Sequence, residues 1–372
     1  MEAQALSSDE YTAVSYGGGW YDSGAYAHPS LHNYTYEDAT IDWMGQLTSG
    51  ITKANKIIIE LGSNEAGATV APARAMRAFF HFILMDCWGD APILDHAMAE
   101  GETIDRSPRA DVARFIESEL KEIIPQLTDE VNANTYGKPT KWMAEALLAK
   151  IYINWPVYTA ASVDLYDAAT AKNEKLNDCI ALCDDIIKSG KFNLGSMSYS
   201  KKFGPDNGSH VEDFIYVMPY DTYTAQGMPY GRSRCWKDIK SCAKSYFGMK
   251  LSQSGGGYIT MTPEFASLFN LEGDQRNNCV IGGTVHVYDP KTYLPTDEIA
   301  VDKNGNPIVL TKEITLVKEG DIELGVGDNI NGYSQGYRSV KFFVIDDDFK
   351  NGRNQSNDLP IFRYADILLT KA

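Results

Sequence analysis

The hydrophobic pattern of the chain is organised around Pro72 to Leu94, PARAMRAFFHFILMDCWGDAPIL. From Ala73 to Trp88 nearly every position is apolar or small. Arg74, Arg77 and His81 fall at i, i+3 and i+7, one narrow stripe of a helix. The remaining circumference must be buried, and the run is too short and too polar to span a bilayer, so other helices are expected to pack around it. Pro72 suits its first turn, and Gly89 with Pro92 ends it.

The neighbours follow the same grammar. Apolar positions 44, 47, 51, 54, 58 and 61 predict an amphipathic helix from Met44 to Gly62. Ser107-Pro108 opens a third, with Val112, Phe115, Ile116, Leu120, Ile123, Ile124 and Leu127 inward. A fourth, TKWMAEALLAKIYIN, is expected to stop at Pro156, and its alanines 144, 146 and 149 permit close approach by another helix. The fifth, LNDCIALCDDIIKSG, buries Leu176, Cys179, Ile180, Cys183, Ile186 and Ile187 and ends at Ser189-Gly190. Successive helical hairpins with small residues at the crossings outline a tetratricopeptide-like array of loose period.

Past Phe192 the pattern becomes short β-branched and aromatic runs, DFIYVMPY, GGTVHVYDP and EIAVDKNGNPIVLTKEITLV, separated by turn residues. Asn304-Gly305 predicts a hairpin between the halves of the last run. At the end, IFRYADILLTKA reads as a helix start. The fold class is therefore mainly α, a tetratricopeptide-like helix-pair superhelix with an irregular insertion containing short β-hairpins. Its expected parts are an aromatic-rich loop region at 1–40, a helical body at 41–190, the insertion at 191–355 and a C-terminal helical start at 356–372.

Composition narrows the chemistry. The 372 residues carry 50 acidic against 34 basic side chains, a formal charge of −16, and no basic patch with interleaved aromatics. Nucleic acid and anionic membrane surfaces are excluded as partners on that ground. Mean hydropathy is −0.30, that of a soluble globular chain. Six cysteines lack CxxC or zinc spacing, and Cys179 and Cys183, four apart on a helix, suit two small core residues better than a disulfide.

No HExxH, Walker A or GxGxxG motif is present, and no stretch nominates a carboxylate pair for glycoside hydrolysis. No cofactor and no metal are expected. Asp302, Asn304 and Asn306 alternate like a calcium loop but have Pro307 in place of its sixth-position glycine, and Asp346 to Asp348 reads as a solvated acidic turn. Arg74, Arg77 and His81, like Arg363 and Asp366, are expected to be structural, paired with acidic groups or helix ends.

Of the 22 tyrosines and 6 tryptophans, many sit in Gly- and polar-rich segments where no core period accounts for them. Sugar rings pack their C–H faces on flat aromatics while hydroxyls reach Asn, Asp, Gln, Arg or His. The first loop offers Trp20, Tyr21, Tyr26, His32, Asn33 and Tyr34, with Asp9 upstream. The insertion offers Tyr220, Tyr223, Gln226, Tyr230, Arg232 and Trp236. For each residue the plainer alternative is an aromatic that packs its own loop. Stacking of about 0.5–1.5 kcal/mol per platform sets an expected affinity of roughly millimolar to micromolar.

Seven stretches in order, GWYDSG from Gly19, WMGQLTSGITKAN ending at Asn55, RAMRAFFHFILMDCWGDAPIL, YGKPTKWMAEALLAKIYIN, CDDIIKSGKFNL, TPEFASLFN and NDLPIFRYADILLTKA, resemble the SusD-like (SusD/RagB) family of surface glycan-binding lipoproteins of Gram-negative bacteria. The resemblance spans nearly the whole chain and is most specific at the helix running into CWGDAPI and at PIFRYADILL. It implies a non-catalytic outer-membrane protein at the cell surface that captures oligosaccharides and delivers them to a SusC-like, TonB-dependent transporter. The family's lipid-anchored cysteine and further C-terminal chain have no counterpart in these residues, so membrane attachment is expected only through an anchor outside this sequence. The alternatives from other classes are a tetratricopeptide peptide- or protein-binding scaffold and, further off, a glycoside hydrolase.

Overall fold

Helices form where the apolar periodicity falls. The computed structural model describes residues 2–13, 28–35, 37–38, 43–62, 69–195, 197–228, 245–246, 249–251, 259–301, 305–314 and 334–372. The chain divides into two units, residues 1–42, 196–208 and 219–359 in one and 43–195, 209–218 and 360–372 in the other. The first opens with helix α1 (Glu2–Leu6), strand β1 (Tyr11–Ala13) and helix α2 (His28–Leu31).

The second unit is the helical body. Helices α3 (Met44–Leu61) and α4 (Ala71–Trp88) pack together, α4 packs on α5 (Arg109–Ile123), and α6 (Lys141–Ile153) packs on α8 (Leu176–Lys188). Ile51, Phe82, Met85, Ile116, Leu120, Leu147, Cys183 and Ile186 belong to one core, each large aliphatic or aromatic side chain stabilising it by about 1.5–3 kcal/mol. Gly50 lies against Phe80, whose ring edge would stand 2.7 Å from any Cβ there, so α3 and α4 approach over a residue without a side chain. The Asp90 carboxylate accepts the Arg109 N–H at 2.9 Å and caps α5, and the Thr140 hydroxyl does the same for α6 through Met143.

Three details depart from the sequence reading. Pro156 does not merely stop α6. The chain turns at Asn154 and Pro156 sits in the first turn of a new short helix, α7 (Trp155–Thr159), where its missing N–H costs nothing. Leu176 is exposed, because it stands at the first residue of α8, outside the joint with α6. The terminal segment begins as a strand: β12 (Leu359–Arg363) pairs with β2 (Phe214–Met218), and only Tyr364–Lys371 is helical, α12. Asp213, almost wholly buried, holds this corner by accepting from the Tyr364 and Ala365 N–H groups and from the Arg363 guanidinium at 3.1 Å. Asp366 in turn accepts the Arg363 N–H, so both residues of FRYADILL are structural.

The first unit is irregular, with short helices α9 (Tyr199–Lys202), α10 (Pro263–Ala266) and α11 (Asp346–Phe349). Its described sheets are two-stranded: β1 with β5 (Ile259–Met261), β3 (Ser245–Tyr246) with β4 (Met249–Lys250), β6 (Val280–Ile281) with β11 (Arg338–Ser339), β7 (Gly283–Thr284) with β10 (Val309–Leu310), and β8 (His286–Tyr288) with β9 (Pro295–Ile299). The expected hairpin over Asn304-Gly305 is reduced to a bridge between Val301 and Pro307, with Gly305 at φ 83° and Asn304 outside the described residues. The Ile308 N–H also donates to the Ala300 carbonyl at 2.9 Å, while the flanking strands pair outward as well, β9 with β8 and β10 with β7. Helices dominate the fold and the strands are short insertions. No described helix is long and apolar enough to cross a membrane.

Candidate functional site

The DTYT segment after β2 builds a turn that presents an aromatic ring. The Asp221 carboxylate accepts the N–H groups of Tyr223 and Thr224, each at 2.6 Å, and the Thr224 hydroxyl, and its own N–H donates to the Ala225 carbonyl at 3.0 Å. The Thr224 side chain first, then these backbone N–H groups, hold the Asp221 pKa down to about 2. One residue back, the Tyr220 N–H donates to Asp358 at 2.8 Å, and the Gln226 amide donates to the Thr222 carbonyl at 2.8 Å.

Tyr223 stands on this turn 77% exposed. Its hydroxyl accepts from the Asn351 amide at 3.4 Å, and Asn351 follows the Lys350–Asp347 pair, which is closed at 2.8 Å. The result is an exposed flat ring whose hydroxyl meets the Asn351 amide, with the Lys350 charge nearby. Such a ring can receive the C–H face of a sugar while its rim exchanges hydrogen bonds with hydroxyls. Tyr220 is half-buried, its pKa raised by that burial, and supports the turn more than it faces solvent.

The first loop is described in part. Asp9, His32, Asn33 and Tyr34 are all exposed. Helix α2 packs against α1 and β1, so His32 and its neighbours belong to the same corner as Asp9, whose carbonyl accepts the Thr262 hydroxyl at 2.5 Å. His32 has φ 53°, a left-handed residue after α2, and the Asn33 N–H returns to the His28 carbonyl at 3.2 Å. Asp38 closes the loop by accepting from His28 and from the Thr35 N–H, both at 2.5 Å. Trp20, Tyr21, Tyr26, Tyr230, Arg232 and Trp236 lie outside the described residues.

Asn351, Lys350 and Asp358 were not singled out by sequence reasoning, and Asp347 was read only as part of a solvated acidic turn. Asp221 with Thr224 is a turn signal that could have been read. Asn351 and Asp358 approach Tyr223 and Tyr220 from more than a hundred residues away and leave no local trace.

The polar stripe of α4 proves structural. Glu119 of α5 accepts from Arg77 at 2.5 Å and from Arg74 at 2.7 Å, and Arg74 also reaches Glu122 at 2.7 Å. Arg77 further donates to Asn55 of α3 and to the Asp95 carbonyl, each at 2.9 Å. Buried His81 accepts the Leu94 N–H at Nε2 while Nδ1–H donates to the Arg77 carbonyl, which fixes it neutral. Burial, then the Arg77 charge, pushes its pKa down to about 4. Asp346 to Asp348 form the first turn of α11, with Asp348 accepting the Ser356 N–H at 2.9 Å. Among the described residues no group of His, Cys, Asp or Glu could hold a metal ion.

Residues 2–153 match a SusD-like family model described as starch-binding and associating with the outer membrane, and residues 218–372 match the model of the SusD family. Starch-binding protein SusD of Bacteroides thetaiotaomicron is 22% identical over 319 residues, covering 81% of this chain and 53% of that protein, so the chain spans about half the length of this relative. A SusD superfamily protein from Parabacteroides distasonis shares the fold at a TM-score of 0.69 and 17% identity, over 100% of this chain and 69% of that one. Surface glycan-binding protein A from Bacteroides thetaiotaomicron, in complex with laminarihexaose, does so at 0.70 and 16%, over 100% and 71%. With these two family matches, over residues 2–153 and 218–372, the chain belongs to the SusD-like family.

Proposed function

We propose that this chain captures an oligosaccharide at the cell surface without cleaving it and delivers it to a SusC-like, TonB-dependent transporter, held at the outer membrane by a lipid anchor. The observation that carries the reading is the exposed Tyr223 ring on its braced turn, with its hydroxyl at the Asn351 amide. Support comes from the family and from the laminarihexaose complex of the structural relative. Asp9, His32, Asn33 and Tyr34 form the described part of a second binding surface, and Trp20, Tyr21, Tyr26, Tyr230, Arg232 and Trp236 complete the proposed ligand set.

Affinity gels cast with starch or laminarin test the site. Tyr223→Ala is expected to weaken retention by about 3- to 10-fold, the value of one stacking platform, with unchanged thermal stability. Trp20→Ala and Trp236→Ala are expected to do likewise. Wild-type retention in all three variants would sink the site assignment. Incubation with laminarihexaose or a starch oligosaccharide is expected to return it intact, and a shortened product would refute pure capture.

A further inference from the structure

We infer that Glu145 and Asp185 share one proton across the joint between α6 and α8, and that this shared proton is a pH-sensitive brace of the helix pair. Glu145 projects from a helix buried on nearly every face, its side chain 4% exposed. Its Oε1 lies 3.5 Å from Lys141 Nζ, but Oε2 is buried with no hydrogen-bond partner. Lys141 does not fill the gap, because its ammonium is drawn to Asp185 at 2.6 Å. A buried carboxylate oxygen without a donor is costly, and a proton on Glu145 removes the cost: its O–H donates to ionised Asp185. The site then holds one neutral carboxyl, one carboxylate and one ammonium, and balances in charge.

The surroundings favour that distribution. Burial first, then the hydrogen bond with Asp185, pushes the Glu145 pKa up to about 8 against the opposing pull of Lys141. The Lys141 ammonium holds Asp185 below the usual carboxylate range. α5 brings Lys121, which is committed to Glu117 at 2.6 Å. α8 also brings Asp178, Asp184 and Lys188, and α12 brings Lys371, paired with Asp184 at 2.5 Å. β2 brings only Tyr216, whose hydroxyl faces the Met76 sulfur at 3.3 Å. None supplies a donor to Glu145 Oε2. An open groove of about 430 Å³, lined by Ile124, Leu148, Tyr152, Asp178 and Leu182 with the two carboxyls, gives the proton a route to water.

The folded chain keeps this proton to about pH 8, whereas an unfolded glutamate loses it near pH 4.5. The brace is therefore complete below pH 4.5 and is lost progressively as pH rises to about 8. Urea unfolding of the full chain at pH 5 to 9, followed by circular dichroism, tests this. Relative to Glu145→Gln, whose amide donates to Asp185 at any pH, the wild-type unfolding constant is expected to rise by up to about tenfold per pH unit until pH 8. Parallel profiles overturn the inference.

If Glu145→Gln does not fold, Asp185→Asn replaces it. Without the second carboxylate Glu145 ionises at lower pH, so the fall must shift toward acid, and an unmoved profile overturns the inference. Infrared spectra of the wild-type chain give an independent reading: a protonated-carboxyl C=O band must be present at pH 6 and gone at pH 9.

Discussion

At the scale of single residues, the strongest constraint is Arg77. Its guanidinium is 7% exposed and meets a carboxylate, Glu119, that is 9% exposed. A buried pair of this kind adds little over a well-packed apolar substitute, but removal of one partner strands the other charge. Arg77→Ala is thus expected to cost about 3–5 kcal/mol in urea unfolding, and Arg77→Lys to recover only part of it, since an ammonium cannot span Glu119, Asn55 and the Asp95 carbonyl together. The spacing of Arg74, Arg77 and His81 was readable as one helical stripe, and charged groups on a buried helix imply partners. Which partners was not readable, because Glu119 and Asp95 arrive from other segments. Tyr223 was legible as a candidate for the same reason that its rim was not: an aromatic in a polar loop stands out locally, whereas Asn351 reaches it from 128 residues away.

At the scale of elements, α6 shows how far pattern reading reaches. Trp142 to Ala149 are all buried, so no amphipathic stripe marks its orientation, yet Ala144, Ala146 and Ala149 correctly signalled a close helix neighbour. That neighbour is α8, where the Cys179 thiol donates to the Ala149 carbonyl at 3.3 Å and no disulfide joins Cys179 to Cys183. Ala149→Leu is expected to overpack this joint and lower stability by about 1–3 kcal/mol, read as a drop in melting temperature. The strand at Leu359–Arg363 escaped notice because five residues carry too little alternation to outweigh the helical ADILL that follows. Its pairing with Phe214–Met218 is a contact across some 150 residues, marked by Arg363 and Asp213. The same holds for Asn304-Gly305: turn chemistry is local, but the choice of strand partners is made by the sheets on either side.

At the scale of the whole molecule, two buried groups set opposite pH slopes. His81, with its folded pKa near 4 against 6.5 unfolded, adds stability as pH rises from about 4 to 6.5 and loses it on acidification. Glu145 removes stability as pH rises from 4.5 to about 8. Their effects offset between pH 4.5 and 6.5, so a plateau there and a decline from 6.5 to 8 are expected in melting temperature against pH. His81→Gln should tilt the plateau downward from pH 4.5, and a plateau that stays level would exclude His81 as its cause.

The α4 network has one more consequence. Asn55 donates to the Leu94 and His96 carbonyls, Arg77 to the Asp95 carbonyl, and His81 takes the Leu94 N–H. At Asp95 and His96 the helices therefore grip the main chain of the loop and not its side groups. Positions 95 and 96 are free to drift in identity while the loop keeps its path, whereas Asn55, Arg77 and His81 have no such freedom. Tolerance and constraint are divided along one contact, with the variable partner held by its backbone and the fixed partner by its chemistry.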